Sequence, residues 1–364
     1  MKKAFKKIFI PIVIAMLLLC NEYMGEYSLI TSCIEIAYGK TNYEPINSYD
    51  SWYRYMKAAK ENLMPQVSVS IDKFNQDLYD INKLAEYNIS IKASGEIIGR
   101  RAYIDYTFEY SDNYKLLRAV ENPGLTHRLN TQQQQALLKL REIKSQIIKN
   151  HMSDYEGEKA IHDFMVTNYK YDQENLNAGT LTNRSHSVVG LVNDKKGVCE
   201  AYANTFMLLC KLSEIECQLV TGTVDNIKHA WNIVKLDNEY YHVDVTNDDP
   251  IPDTPEEIRY AYFNLDDNEI SKTHIIDLGQ TIKCTGKKYN YYTYNNLIVT
   301  NFNELKALTS KQLAGNNKII TFKTQGFILN SSTYIQRALE YKGFTKLAIY
   351  GEFGADGVFY VKLS

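Results

Sequence analysis

The segment from 228 to 246 constrains the fold more than any other part of the chain. Two runs of strand-like residues flank Asp237-Asn238, and both of these residues tolerate positive φ. The pattern therefore predicts a hairpin with a two-residue type I′ turn. In that register Trp231 lies opposite Asp244, and His229 shares a face with Asp244 as its diagonal neighbour. A shift of one residue would put the two side chains on opposite faces.

A second segment predicts a helix that begins at a cysteine. Ala203, Phe206, Met207 and Cys210 recur with helical spacing, and a glycine and two lysines mark the loop before them. Cys199 then lies in the first turn, where free backbone N–H groups and the helix dipole favour a thiolate. A cysteine on an amphipathic helix can equally be an inert core thiol. The position alone leaves both interpretations open.

Cys199, His229 and Asp244 together predict nucleophilic catalysis. The imidazole of His229 would take the proton of the thiol and return one to a leaving amine. The Asp244 carboxylate would hold the tautomer of the imidazole and stabilise its cation. The backbone N–H of Cys199 is a candidate donor to the oxyanion.

Three motifs surround the candidate residues: Gly-Val-Cys-x-x-Tyr-Ala at 197–203, His-Ala-Trp-Asn at 229–232 and Tyr-His-Val-Asp-Val-Thr at 241–246. Together they resemble the transglutaminase-like superfamily, and its bacterial members most of all. Further similar segments are His162-Asp163-Phe164, 169–172, 189–192, Tyr262-Phe263-Asn264 and Lys272-Thr273-His274. The resemblance covers roughly residues 155 to 275, which is about a third of the chain.

This resemblance implies a fold, an activity and a site. The fold would be α+β, with a papain-like core in which the nucleophile helix packs on an antiparallel sheet. Cys199, His229 and Asp244 match the catalytic triad of the family. The chain departs from many members at Ala201, where they have Gly, and at Asn247, where they have Trp. The second departure bears on substrate preference, because it lies three residues after Asp244.

Smaller α/β modules are expected on both sides of this core. Each module is predicted as βαββ, with helices between the modules at 131–151 and 155–168. The predicted flanking elements are 51–63 (helix), 66–71, 73–87 (helix), 88–93 and 101–110, then 318–324, 330–341 (helix), 344–350 and 357–363. The domains are predicted as a leader (1–39), an N-terminal α/β region (40–150), the transglutaminase-like domain (151–275) and a C-terminal α/β module (276–364).

The N-terminus resembles an export signal. Four lysines between Lys2 and Lys7 precede thirteen uncharged residues at 8–20, a length that suits a signal peptide better than a spanning helix. Small residues at 37–39 offer a cleavage site. We therefore expect a secreted or cell-surface protein, with the leader either cleaved or kept as a membrane anchor.

The cysteines and the charge exclude several classes of site. Cys20 and Cys33 lie within the predicted leader. Cys210, Cys217 and Cys284 are expected to be structural thiols, and no CxxC or zinc-ligand spacing occurs, so neither a disulfide scaffold nor a metal is predicted. The 41 basic and 43 acidic residues nearly cancel, which argues against a nucleic-acid partner. No cofactor is required.

The remaining candidates have ordinary interpretations. His242 is expected to be packed or solvated, and His186 is a weaker candidate for a residue that lines the cleft. Trp231 either forms a wall of the site or lies in the core. The tyrosine run 289–294 is predicted as a strand, with glycan or peptide stacking as the alternative. The acidic loop 248–253 is predicted as a solvated turn rather than a calcium site.

Two functions remain open from the sequence. The first is a cysteine peptidase or amidase, or a protein-glutamine acyltransferase, that acts on protein or peptide substrates, with cell-wall or surface proteins as candidates. Within it, hydrolysis is favoured over crosslinking. The second is a cell-surface interaction protein whose transglutaminase-like domain is catalytically silent.

Overall fold

The structure is a computed structural model. It describes residues 43–72, 74–84, 88–98, 101–254, 257–314, 317–329, 332–339, 347–351 and 357–363. The predicted leader lies outside these ranges. Within them, no helix is both long and apolar enough to cross a membrane. The chain forms two compact units, Met1–Asn130 and Thr131–Ser364, and the four-part domain division stays a prediction.

The first unit contains an α/β sheet module. Its elements are β1 (Glu44–Ile46), α1 (Tyr49–Glu61), β2 (Gln66–Asp72), β3 (Ile89–Ile98), β4 (Arg101–Tyr110) and α2 (Asp112–Glu121), with 3-10 turns at Ile81–Leu84 and Pro123–Arg128. The strands lie in the order β1-β2-β4-β3, with β1 parallel to β2. Trp52 and Met56 of α1 pack against Val67 and Val69 of β2 in a shared core.

The helix predicted at 73–87 is wrong where the structure describes this segment. The segment contains turns and the short 3-10 turn, while residues 73 and 85–87 lie outside the description. Asn75 and Asp80 explain the difference. Each side chain accepts a hydrogen bond from the backbone two residues on, at 2.9 Å from Asp77 N and Asn82 N. Such local bonds stabilise turns at the expense of helix.

The second unit begins with helices and continues into a mixed sheet. Its elements are α3 (Thr131–Ile147), α4 (Asp154–Asn168), β5 (Lys170–Tyr171), α5 (Gln173–Ala178), α6 (Val188–Asp194), β6 (Lys196–Gly197), α7 (Cys199–Leu212), β7 (Cys217–Val224), β8 (Ile227–Leu236), β9 (Glu239–Val243), α8 (Val245–Asp248), β10 (Phe263–Leu265), α9 (Asp267–Ile270) and β11 (His274–Ile276).

The central sheet has the order β10-β9-β8-β7-β11, and its neighbouring strands are antiparallel. Helix α7 packs against β7 and β8. All of its residues from Ala201 to Cys210 are buried. The helix is therefore packed on every face, and not only along the apolar stripe that the sequence shows. The predicted α+β fold, in which the helix that begins at Cys199 packs on an antiparallel sheet, is confirmed.

The predicted hairpin is confirmed in its turn and register. Asp237 and Asn238 have φ of 46° and 67°, as a type I′ turn requires. Leu236 pairs with Glu239, and the register continues to Asn232 opposite Val243. The turn residues therefore determine which side chains of β8 and β9 share a face.

A second α/β module completes this unit. Its elements are α10 (Tyr291–Tyr294), β12 (Ile298–Val299), α11 (Phe302–Gln312), β13 (Ile319–Thr324), α12 (Ser332–Leu339), β14 (Leu347–Gly351) and β15 (Val358–Leu363). The strand order, β12-β13-β15-β14, repeats that of the first unit, and the first pair is again parallel. Helix α12 confirms the central part of the helix predicted at 330–341, and the remaining residues of that prediction lie outside the described ranges.

Candidate active site

Asp244 lies between a strand and a helix. The second strand of the hairpin was predicted to continue to 246, but it ends at Val243 and Asp244 becomes the N-cap of α8. Its Oδ1 accepts hydrogen bonds from the backbone N–H of Thr246 and Asn247, at 3.1 and 3.2 Å. Free N–H groups at a helix start stabilise a carboxylate. The local sequence thus fixes this side chain by capping rather than by strand pairing.

His229 and Asp244 form a direct hydrogen bond. His229 Nε2 donates to Asp244 Oδ2 at 2.7 Å, and the His229 side chain is 10% exposed. Burial alone lowers the pKa of His229. The Asp244 charge and hydrogen bond, together with a hydrogen bond to Cys199, outweigh burial and raise this pKa to about 10. His229 is therefore an imidazolium at neutral pH, in contact with both the carboxylate and the thiol.

Cys199 is the first residue of α7. The N-cap residue is Val198, which has no polar side chain to occupy the free N–H groups of the first turn. The thiol is free and half-buried, whereas Cys210, Cys217 and Cys284 are buried. The structure thus brings together the three residues predicted from sequence. It leaves the N–H groups beside Cys199 available to an oxyanion.

A second histidine binds the same carboxylate. His274 Nε2 donates to Asp244 Oδ2 at 3.0 Å, and His274 is buried at the start of β11. Its Nδ1 lies 2.8 Å from Thr273 Oγ1. Burial raises the pKa of Asp244, but the charge and hydrogen bonds of His229 and the hydrogen bond of His274 lower it well below its usual value. Asp244 is thus ionised and held by four donors.

Sequence reasoning gave His274 no role. Its motif was part of the resemblance, but position 274 lies 30 residues after Asp244 and outside the hairpin. Only the pairing of β11 with β7 brings it to the site, with His274 opposite Val224. The sequence feature that could have indicated His274 was its place in Lys272-Thr273-His274, one of the segments that resemble the family.

Two side-chain clusters have the composition of a metal site. One is His229, Asp244 and His274, and the other is His242, Asp267 and Cys284. In the first, both Nε2 atoms are engaged as donors to Asp244. In the second, Trp231 Nε1 donates to His242 Nδ1 at 3.1 Å, so neutral His242 carries its proton on Nε2, 3.1 Å from Asp267 Oδ1. Neither arrangement presents an imidazole lone pair to a metal.

The acidic loop after the site is buried, and its prediction as a solvated turn was wrong for its first residues. Asp248 is 0% exposed, and its Oδ2 lies 3.2 Å from His162 Nε2. His162 Nδ1 also lies 3.1 Å from Asp163 Oδ1. Burial lowers the pKa of His162, but its hydrogen bonds to the two carboxylates raise it to about 9. A second buried imidazolium therefore lies beside the opposite end of α8.

Asp249 is buried as well. Its Oδ2 accepts a hydrogen bond from Tyr202 Oη at 2.5 Å, which connects the loop to helix α7. Burial raises the pKa of Asp249 to about 7. The hydrophilic composition of this loop predicted exposure to solvent. The prediction failed because the partners that bury these carboxylates, His162 and Tyr202, lie far away in the sequence.

The other residues that the sequence offered as candidates make contacts with neighbouring side chains of the fold. Trp231 and His242 are buried against each other, as the packed interpretation of His242 predicts. His186 Nδ1 lies 3.2 Å from Oε2 of Glu200, the residue after Cys199. The tyrosine run is not a strand. It forms the short helix α10, whose Tyr291 stacks on Tyr260 with ring centroids 3.6 Å apart.

Known proteins resemble this part of the chain. "Kyphoscoliosis peptidase" of Mus musculus is 25% identical over 127 residues, which are 32% of this chain and 19% of that protein. The aligned segment thus spans about a fifth of the length of that relative.

Solved structures that match part of the chain include a TGase and a proposed cysteine protease from Cytophaga hutchinsonii. The TGase has 11% identity and a TM-score of 0.32, with 67% of this chain and 68% of the other covered. The protease has 13% identity and a TM-score of 0.26, with 47% and 67% covered. Residues 141–245 match the family model of the transglutaminase-like superfamily, and this stretch contains all three predicted site residues. The chain therefore contains a stretch, residues 141–245, that is similar to the transglutaminase-like superfamily.

Proposed function

We propose that this protein cleaves amide bonds of protein or peptide substrates with Cys199 as nucleophile, His229 as acid and base, and Asp244 as the residue that orients His229. The observation that carries the proposal is the position of His229, hydrogen-bonded to a buried carboxylate on one side and to the thiol on the other. An imidazolium beside a cysteine at a helix N-terminus favours the thiolate, which is the reactive form.

The reaction proceeds in two halves. The sulfur of Cys199 attacks the amide carbon, and the electron pair of the carbonyl moves to oxygen, near the N–H groups at the start of α7. The tetrahedral intermediate then collapses to a thioester, and the departing nitrogen takes a proton from His229. Neutral His229 next accepts a proton from the incoming nucleophile. That nucleophile adds to the thioester carbon and the C–S bond breaks with its electron pair on sulfur, which restores the Cys199 thiolate beside the His229 imidazolium.

Water and an amine are both chemically competent as the second nucleophile. The name of the mouse relative, a peptidase, favours water. We therefore propose hydrolysis, with protein crosslinking as the alternative outcome. Incubating the protein with a peptide library and a fluorescent primary amine separates the two: hydrolysis yields shorter peptides or free carboxylates, and transfer yields fluorescent peptides.

Alkylation with iodoacetamide tests the site before any substrate is known. Cys199 is expected to react faster than a model thiol at pH 7, and the His229→Ala variant is expected to slow this reaction. Cys210 serves as the matched control, because it lies on the same helix but is buried. In a Cys199→Ser variant, iodoacetamide should modify Cys210 only after the protein unfolds. Alkylation of Cys199 no faster than the model thiol would reject the enzyme and favour the interaction protein.

Metal dependence and location have separate tests. Activity is expected to survive EDTA, because the site geometry engages both histidine Nε2 atoms as donors to Asp244. The basic and apolar N-terminus supports export to the cell surface or medium, with surface or cell-wall proteins as substrates. N-terminal sequencing of protein isolated from the envelope and the medium tests this, and a full-length cytoplasmic product would refute it.

A further inference from the structure

A cavity of about 230 Å³ lies between the end of the central sheet and the second α/β module, both within the unit Thr131–Ser364. Its lining comes from α8, from the segment around β10 and α9, from α10, and from β13, β14 and β15. The volume is below the roughly 300 Å³ and more of pockets for drug-sized ligands, so it suits a small molecule.

The lining carries more positive than negative charge. Arg259, Lys272 and Lys323 face a single carboxylate, Glu269, which is paired with Lys323. Lys272 is exposed and has no ion-pair partner in the described ranges. Arg259 forms an ion pair with the buried Glu257, outside the lining, through Nη2 and Oε2 at 3.1 Å. Its buried Nε has no hydrogen-bond partner among the described residues.

Aromatic side chains supply the rest of the wall. Tyr262, Tyr292, Tyr350 and Tyr360 line the cavity. The Arg259 guanidinium carbon lies 4.7 Å from the ring centroid of Tyr350, within the range of a cation–π contact. Guanidinium groups bind carboxylate and phosphate through parallel N–H groups.

From this geometry we propose that the cavity binds a small organic anion, with its carboxylate or phosphate on Arg259 and Lys272 and its apolar part against Tyr350. The charges of Arg259 and Lys272 define the anionic end of the ligand. The tyrosines define the apolar end. A free inorganic anion would satisfy only the first of these features.

The cavity is linked to the proposed catalytic carboxylate through three of its lining residues. Tyr262 O accepts from Asp244 N at 3.0 Å, and Asn247 N donates to Asp244 Oδ1 at 3.2 Å. Thr273 contacts His274, the second imidazole on Asp244. A bound anion touches the residues that position Asp244, so occupancy changes the reactivity of Cys199. This link rests on the proposed function, whereas binding itself does not.

Binding is tested by calorimetry on the full chain with benzoate and phenyl phosphate as probes, and with benzamide as the uncharged match. Either anion is expected to bind at millimolar or lower concentration, and benzamide at least about 10-fold more weakly. Lys272 is exposed, so Lys272→Gln should leave the fold intact, and it is expected to weaken binding about 10-fold. Arg259→Gln is expected to weaken binding further. Lys283→Gln, an exposed lysine outside the lining, serves as the control.

No binding of either anion, or equal binding by wild type and the Arg259/Lys272 double variant, would overturn the proposal. Alkylation of Cys199 by iodoacetamide with and without saturating probe tests the link to the site. A rate that changes at least twofold supports it, and an unchanged rate overturns the link. If Cys199 reacts no faster than a model thiol while the probes still bind, the proposed enzymatic function fails and the anion site stands.

Discussion

Helix α8 has a carboxylate at each end, and each carboxylate binds a buried histidine. At the N-terminal end Asp244 binds His229, and at the C-terminal end Asp248 binds His162. Carboxylates raise the pKa of both histidines, to about 10 and about 9. The two histidines are therefore perturbed in the same direction, whereas their carboxylates differ: burial raises the pKa of Asp248, and the pKa of Asp244 is lowered by its histidine partners.

The pairs differ in what lies on the other side of the imidazole. His229 is 10% exposed and meets a thiol, whereas His162 is 0% exposed and meets a second carboxylate, Asp163. A perturbed histidine is thus not sufficient evidence of catalysis, since structural ion pairs perturb pKa values equally. Access and a nucleophile distinguish the candidate catalyst from the structural pair.

The sharpest contrast is expected in activity. His229→Gln removes the proposed acid and base and should lower kcat/KM for amide hydrolysis by about 10³-fold or more. His162→Gln should change it by less than about 10-fold per folded molecule, because His162 contacts neither the thiol nor the carboxylate that orients His229. Kinetics on a cleaved peptide, normalised to folded protein, check both. Equal losses in the two variants would remove the distinction.

Stability should show the opposite order. His162→Gln leaves two carboxylates near a buried site without their cation, and breaking such a pair costs about 3–5 kcal/mol. His229→Gln should cost about 1–2 kcal/mol, because Asp244 keeps His274 and two backbone N–H donors. Urea unfolding at pH 7 measures both values. A larger loss in His229→Gln would contradict the structural assignment of His162.

The alkaline limit of stability separates the pairs further. A histidine whose pKa is raised on folding contributes stability that is fully present below pH 6.5 and is lost as the pH rises through its folded value. The wild type should therefore lose stability from about pH 6.5 up to the folded pKa values of about 9 and about 10. In the His162→Gln variant, the decrease in unfolding free energy between pH 6.5 and about pH 9 that comes from His162 should be absent. Urea midpoints between pH 6 and 10 test it, with Lys283→Gln as the control.

Local chemistry explains which parts the sequence could predict. The hairpin register followed from Asp237-Asn238, because a two-residue turn fixes every pair of the strands that it joins. Cys199 at the start of α7 followed from the apolar spacing of that helix. His274 and the His162–Asp248 pair did not follow, because their partners lie 30 and 86 residues away and meet only through strand pairing and helix packing. The helix predicted at 73–87 failed because side-chain capping by Asn75 and Asp80 competes with helical bonds.

The smallest expected effect concerns His274, which shares Asp244 Oδ2 with His229. His274→Phe removes one of four donors to Asp244 and leaves Thr273 without its imidazole partner. We expect kcat to fall about 5- to 10-fold, or about 1 kcal/mol, which is the size of one ordinary hydrogen bond, because three other donors still hold Asp244. His274→Gln keeps an N–H donor and should recover most of the activity. The pKa of His229, followed by NMR of its ring protons, should change in the Phe variant and stay close to wild type in the Gln variant. If both variants lose activity equally while that pKa is constant, His274 contributes packing rather than orientation of Asp244.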